Sequence, residues 1–247
     1  MKTIISITSI PSRFPTLSYI VKDLLNQKNV DEIWVNIPYK YNRFPELTSI
    51  DIPSDLYGID PKVKIHRCAD YGPGTMYIAP ALDSDADIII VVNDDTAYPS
   101  NLSTELLGYF NKEEACWCLS GFNIDEYTSG NGRVKYTHGG QVDVTESYGG
   151  VILKREWVMQ IFNEFMELYK LTYNDDIIIG NLFAKYGIKK KTVCSDQCNI
   201  GQIKQYQFGM EKDALFYNNG DGTHYKNNLK IFNLFKQLNV YYFLKKK

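Results

Sequence analysis

The stretch ADIIIVVNDD, residues 86–95, decides the fold. After Asp87, five β-branched apolar residues follow one another without alternation, so neither face is left to water. That pattern predicts a strand near the middle of a parallel sheet, covered on both sides. The strand ends in Asn93-Asp94-Asp95, which places two adjacent carboxylates at its carboxyl end. Neighbouring acids repel each other and cost stability unless a cation or another partner compensates them. Ligands of open α/β sheets sit beyond the carboxyl ends of the strands, where this pair stands. The plainer reading is a turn opened by Asp before Tyr98-Pro99.

Outward from this strand, apolar runs alternate with helical patterns. Upstream, residues 3–7 form a short β-branched strand. Leu17, Ile20, Val21, Leu24 and Leu25 recur at the spacing of one helix face. Residues 32–37 and 63–66 read as strands, and 74–82 as a short helix. Downstream, 101–110 is helical and 115–119 strand-like, so the first part of the chain reads βαββαβαβ. This is an α/β layered fold with a mostly parallel sheet. Beyond it come a strand over 148–153, helices over 157–169 and 176–186, a strand over 191–194 and a basic amphipathic segment from Asn228. The expectation is one continuous domain.

Composition narrows the function. The 247 residues are 44% apolar and 23% charged, near globular averages. Lys and Arg number 27 against 29 Asp and Glu, for a net charge of −2. Such a balance argues against a general nucleic-acid binder. The opening apolar run IISITSI is short, interrupted by Ser and Thr, and followed by Pro11 and Arg13, so it reads as a buried strand and not as an export signal. Five cysteines, an odd number, fit reduced thiols in a cytoplasmic compartment. Cys116-x-Cys118 and Cys194-x3-Cys198 do not have the usual spacing of zinc pairs.

Four further segments carry candidate chemistry. In Asp70-Tyr71-Gly72-Pro73-Gly74-Thr75 two glycines flank a proline, giving a rigid turn that a ligand could approach closely. It matches neither the Walker pattern nor G-x-G-x-x-G. In Tyr148-Gly149-Gly150 the glycines permit a bulge or a close contact. Asn174-Asp175-Asp176 opens a helix, either as its cap or as a source of a general base. His224 closes a turn-rich loop and is a candidate late metal ligand.

Together these segments resemble glycosyltransferases of the GT-A fold, and among them a small group, some virus-encoded. That group carries a DYGPxTK-like segment, a D-x-D-type segment before Tyr-Pro, a Gly-Gly segment and a late acidic pair. The matching stretches are DYGPGTM (70–76), NDDTAYP (93–99), SYGGVILKR (147–155) and NDDIIIGNLFAKYGI (174–188). The resemblance implies a single GT-A domain over 1–225, with a donor-binding half over about 1–120 and an acceptor half over about 121–225. A basic amphipathic helix over 226–247 would follow. It implies metal-dependent, inverting transfer of a sugar from a nucleotide-sugar, best a UDP-sugar, to a hydroxyl of a glycan or glycolipid. Thr8, Pro11 and Arg13 would touch the nucleotide, and Asp70, Gly72 and Thr75 the base and ribose. Asn93 and Asp94 would contact the donor, Asp95 and His224 would hold Mn²⁺ or Mg²⁺, and Gly149 and Gly150 would back the sugar. Asp176, or its neighbour Asp175, would be the catalytic base.

The chain departs from the pattern twice. Asn93 opens the acidic triplet in place of Asp, and Met76 stands where the resembled enzymes tend to carry Lys. Two rival readings follow. One is a domain of this fold that binds glycan or nucleotide without turnover. The other is a sugar nucleotidyltransferase, disfavoured because Ser9-Ile10-Pro11-Ser12-Arg13 lacks the glycines of a triphosphate loop. The last 23 residues carry six lysines and no acid, which admits peripheral contact with an anionic membrane.

Overall fold

The structure, a computed structural model, describes residues 1–125, 139–193, 204–205 and 224–243. In chain order its first half holds β1 (Thr3–Thr8), α1 (Phe14–Leu24), β2 (Glu32–Pro38), β3 (Val63–Cys68), α2 (Thr75–Asp83), β4 (Ile88–Val91), β5 (Thr96–Ala97), α3 (Leu102–Lys112) and β6 (Cys116–Cys118). There follow β7 (Gly121–Phe122), β8 (Gly140–Gln141), β9 (Val144–Thr145), β10 (Val151–Lys154), α4 (Arg155–Tyr169), α5 (Asp175–Lys185), β11 (Lys190–Thr192), β12 (Lys204–Gln205) and α6 (His224–Gln237).

One eight-stranded sheet, in the order β3-β2-β1-β4-β10-β6-β11-β8, forms the middle layer. β4 is interior, as its composition requires, and Ile88–Val91 are buried throughout. Its two neighbours differ in direction. β1 pairs with it in parallel and β10 antiparallel, with Ile90 opposite Ile5 on one side and Ile152 on the other. The sheet is therefore parallel from β3 to β4 and mixed beyond.

Helices cover both faces. On one, Leu17, Ile20, Val21 and Leu24 of α1 and Leu102, Leu106 and Phe110 of α3 pack with Ile5, Ile7, Val35 and Ile90. On the other, α2, α4 and α5 bury Tyr77, Phe165, Ile178 and Phe183 against Ile4, Ile89, Val91 and Leu153. Gly180 lets α5 come close to the chain, since a Cβ there would stand 2.9 Å from the Asp143 carbonyl oxygen. Cys68, Cys116 and Cys118 are free and buried, while Cys194 and Cys198 lie outside the described residues.

Two expectations need correction. The strand expected from residue 148 starts at Val151, because Ser147–Gly149 forms a single 3₁₀ turn and Gly150 takes φ +76°. The C-terminal segment is not one helix to its end. α6 stops at Gln237, and Asn239 adopts the left-handed conformation, φ +57°. Its N–H donates to the Lys236 carbonyl and that of Val240 to Phe235, which is the Schellman termination. The chain then folds back, and Phe232, Phe235 and Phe243 are buried in the α4–α5 side of the core. Among the described residues no helix is long and apolar enough to cross a membrane.

Candidate functional site

The carboxyl ends of β1, β2, β3 and β4 lie along one margin of the sheet, and the antiparallel β10 begins there. Most of the expected residues gather on this margin. Directly after β1, Pro11 opens a 3₁₀ turn, Pro11–Arg13, that leads into α1. It delivers Arg13 to the acidic pair after β4. Arg13 Nη1 donates to Asp94 Oδ1 at 2.6 Å and stands 3.2 Å from Asp95 Oδ2. All three side chains are nearly buried, at 11%, 7% and 10% exposure. Ser9 Oγ donates to the other Asp94 oxygen at 2.5 Å, and Tyr41 Oη fixes Ser9 by donating to its carbonyl at 2.7 Å. Burial pushes the Asp94 carboxyl up from the usual range, and Arg13 opposes that push. The adjacent carboxylates thus have a built-in cation.

Asp95 is held at longer distances than Asp94. Its Oδ1 accepts from Thr96 Oγ1 at 3.1 Å, and its Oδ2 pairs with Arg13 at 3.2 Å. The Asn93 side-chain oxygen, two residues earlier, is buried with no hydrogen-bond partner among the described residues. Hard oxygen donors of this kind suit Mg²⁺ or Mn²⁺, which take one or two carboxylates and complete their shell with water and substrate phosphates. Among the described residues no cluster of three His, Cys, Asp or Glu could hold a metal by itself. The side chain of His224, the expected late ligand, lies outside the described residues.

The Gly-Pro-Gly turn is braced from within. Asp70 accepts from the backbone N–H of Asn42 at 2.6 Å and of Gly72 at 2.8 Å, so both its oxygens close the loop. Gly72 has φ +58°, and a Cβ there would meet Tyr169 Oη at 2.5 Å. Thr75 is fully buried and its hydroxyl accepts from the Tyr71 N–H, so it supports the turn and presents no open face. Met76 is buried in the core with its carbonyl accepting from Ser6 Oγ. Thr8 Oγ1 donates to the Asn36 carbonyl of β2.

The late acidic pair sits on the same margin. Asn174, not Asp175, caps α5, its Oδ1 accepting from the Ile177 N–H at 3.0 Å. Both aspartates are thereby released from that duty. Asp176 accepts from the Ser147 N–H at 3.1 Å, which ties α5 to the Gly149-Gly150 segment. Asp175 is buried, with one oxygen unpartnered among the described residues. Burial drives the Asp175 carboxyl up. Burial, then Asp175, then Glu146 drive the Asp176 carboxyl up as well. Three acids therefore share one partly dry region, and carboxyls with raised pKa values in a cleft are the groups that take protons near neutral pH.

Gly149 is needed for packing, since a Cβ there would stand 2.7 Å from the Ser120 backbone nitrogen. The two acidic centres are joined by Tyr98. Its Oη accepts from the Asn93 N–H at 2.9 Å and donates to the Tyr148 carbonyl at 3.0 Å. Sequence reading missed Ser9, Tyr41, Tyr98, Ser120 and Glu146. Ser120 Oγ lies 2.6 Å from Glu146 Oε2 and 2.9 Å from Tyr148 Oη, so these groups hold the segment that carries the glycines.

No known protein family matches the chain by sequence profile, and no curated protein matches it by sequence. Solved structures do match by shape. One is that of S. aureus TarS 1–349 in complex with UDP, with a TM-score of 0.54 and 10% sequence identity. The superposition covers 81% of this chain and 59% of that one, so the chain spans well under two thirds of TarS 1–349. The likeness is one of fold: this chain shares with TarS 1–349 a mixed α/β domain with a large, mostly parallel sheet between helices.

Proposed function

We propose that the chain is a glycosyltransferase that moves a sugar from a nucleotide-sugar, a UDP-sugar in the first instance, to an acceptor hydroxyl with inversion. The observation that carries this reading is the convergence, on one sheet margin, of the Arg13–Asp94–Asp95 centre with the raised-pKa pair Asp175–Asp176. The UDP held by TarS, a chain of like fold, supports the choice of donor.

In this reading Arg13 and the backbone after β1 face the diphosphate. Asp95, with the Asn93 carbonyl oxygen, would hold Mn²⁺ or Mg²⁺. Such an ion supplies Lewis-acid stabilisation of the leaving diphosphate, several kcal/mol in comparable sites. Asp94 holds Arg13 in place and is the positioning acid of the pair. Asp176 takes the acceptor proton, a role generally contributing about 10²–10⁴-fold. Its raised pKa makes it a stronger base once ionised.

Isothermal titration of UDP with and without Mn²⁺ tests the donor half. Binding should require Mn²⁺ and be lost in Asp95→Asn with the fold retained. Unchanged Mn²⁺-dependent affinity in that variant removes Asp95 from the site. Release of UDP from a UDP-sugar separates an enzyme from a domain that only binds.

A further inference from the structure

The amino ends of the same strands carry a concave feature, on the margin opposite the acidic centre. A groove of about 410 Å³ opens between the end of α2, the edge strand β3 and its neighbour β2. Its volume falls within the range of small-molecule sites, about 300–1,000 Å³. Trp34 and His66 line it side by side, ring centroids 4.8 Å apart and tilted by 56°. Neither ring is free to turn. Trp34 Nε1–H donates to Glu32 Oε2 at 2.8 Å. The two nitrogens of His66 face Asn36 Oδ1 at 2.9 Å and Asp83 Oδ2 at 3.1 Å.

The rim carries charges of both signs. Lys2 Nζ lies 3.2 Å from Glu32 Oε2 and 2.5 Å from Asp85 Oδ1. Lys64 is exposed and makes no ion pair among the described residues. Two lysines stand against Glu32, Asp83 and Asp85, and burial lowers the pKa of His66, so the groove offers no positive field to a phosphate or a polyanion. It offers instead a fixed aromatic surface ringed by donors and acceptors at close spacing. A hydroxyl both donates and accepts, so it can join a lysine–carboxylate pair without breaking it. The apolar C–H face of a pyranose fits an indole whose polar edge is already satisfied.

We propose that this groove binds a neutral saccharide, with Trp34 as the stacking platform and Glu32, Lys64 and Asp85 as hydroxyl partners. The proposal stands on this groove alone and does not depend on the transferase reading. Rigid rings and pre-formed ion pairs lower the ordering cost of binding, which suits a ligand that contributes few strong contacts.

Saturation-transfer NMR on the full chain, with maltohexaose, cellohexaose and chitotetraose at millimolar concentration, tests it. At least one should show transfer to its ring protons. The signal should vanish in Trp34→Ala, persist in Trp34→Phe, and be unchanged in Asp95→Asn. Should Trp34→Ala lose its dispersed amide spectrum, the double variant Lys64→Ala/Asp85→Ala takes its place, with binding expected to weaken about tenfold or more. No transfer to any of the three sugars overturns the proposal, as does a signal that survives the loss of the indole. Loss of the signal in Asp95→Asn would place the sugar at the acidic centre instead. Preference for a sulfated disaccharide over the neutral sugars would refute the charge argument.

Discussion

A carboxylate in the first turn of a helix is ordinarily favoured as an anion by the free N–H groups there. Asp176 departs from that rule, because burial and the nearby Asp175 and Glu146 outweigh the hydrogen bonds it accepts from Ser147. Its pKa is raised in the folded chain, so the folded state holds a proton that the unfolded chain gives up. The associated stability is complete below the unfolded value, near 4, and is lost as pH climbs through the folded value. Asp176→Asn removes that loss. The variant should therefore melt higher than the native chain at neutral pH, by about 2–4 °C per kcal/mol gained, and by little near pH 4. If Asp176 is the base, transfer should fall about 10²-fold or more while donor affinity is kept. Calorimetric scans across pH and a UDP-release assay read the two effects separately. A variant that melts lower at neutral pH and turns over normally would make Asp176 structural.

At the level of elements, those with a clear hydrophobic period were legible. Of the five positions expected on one face of α1, Leu17, Ile20, Val21 and Leu24 are buried while Leu25, just past the helix end, is half-buried, and the unbroken apolar run did become the interior strand. The direction of β10 was not legible, because composition does not distinguish parallel from antiparallel pairing in a fully buried strand. Nor was the partner of Arg13, since the contact to Asp94 spans 81 residues and depends on the sheet being assembled. Tyr98 was hidden for a similar reason, its second partner lying 50 residues away. The glycines were readable as positions needing room, but not what fills it. At Gly149 the neighbour is the Ser120 backbone, which cannot swing aside as a side chain would. Gly149→Ala should cost about 1–3 kcal/mol as an overpacking change and also weaken donor binding, since Tyr148 and Ser147 move with it. Gly108 in α3 is the control: a Cβ there meets nothing within 4 Å, and Gly108→Ala should stabilise by up to about 1 kcal/mol. Urea unfolding of both variants checks the contrast, and equal effects would show that the Ser120 approach is unimportant.

Across the whole molecule, the C-terminal segment bears on how the site is held. The last 23 residues carry six lysines and no acid, a charge of +6 on a chain of net −2. From sequence alone that pattern fits a membrane-surface helix as well as a docked one. In the structure the segment's phenylalanines meet the protein, while Leu238 stays exposed. Phe232, Phe235 and Phe243 are buried at 1%, 0% and 5% exposure. The returning strand of chain is pinned to α5 through Asn181, whose Nδ2 donates to the Val240 carbonyl and whose Oδ1 accepts from the Tyr242 N–H, both at 2.8 Å. α5 is the helix that presents Asp175 and Asp176, so the tail braces the element bearing the candidate base. Phe243 also closes over Lys190, whose buried ammonium donates to the Gly180 carbonyl. A chain ending at Asn227 would give up three buried phenylalanines, each about 1.5–3 kcal/mol. It would also leave the Asn181 amide unpaired, at about 1–3 kcal/mol more. That total rivals the whole stability of an ordinary domain, about 5–15 kcal/mol. The truncated chain should therefore lose its cooperative melting transition, and the full chain should stay in the supernatant when spun with anionic vesicles at low salt. A truncated protein that melts like the full one, paired with vesicle binding that disappears on truncation, would make the segment a membrane anchor instead.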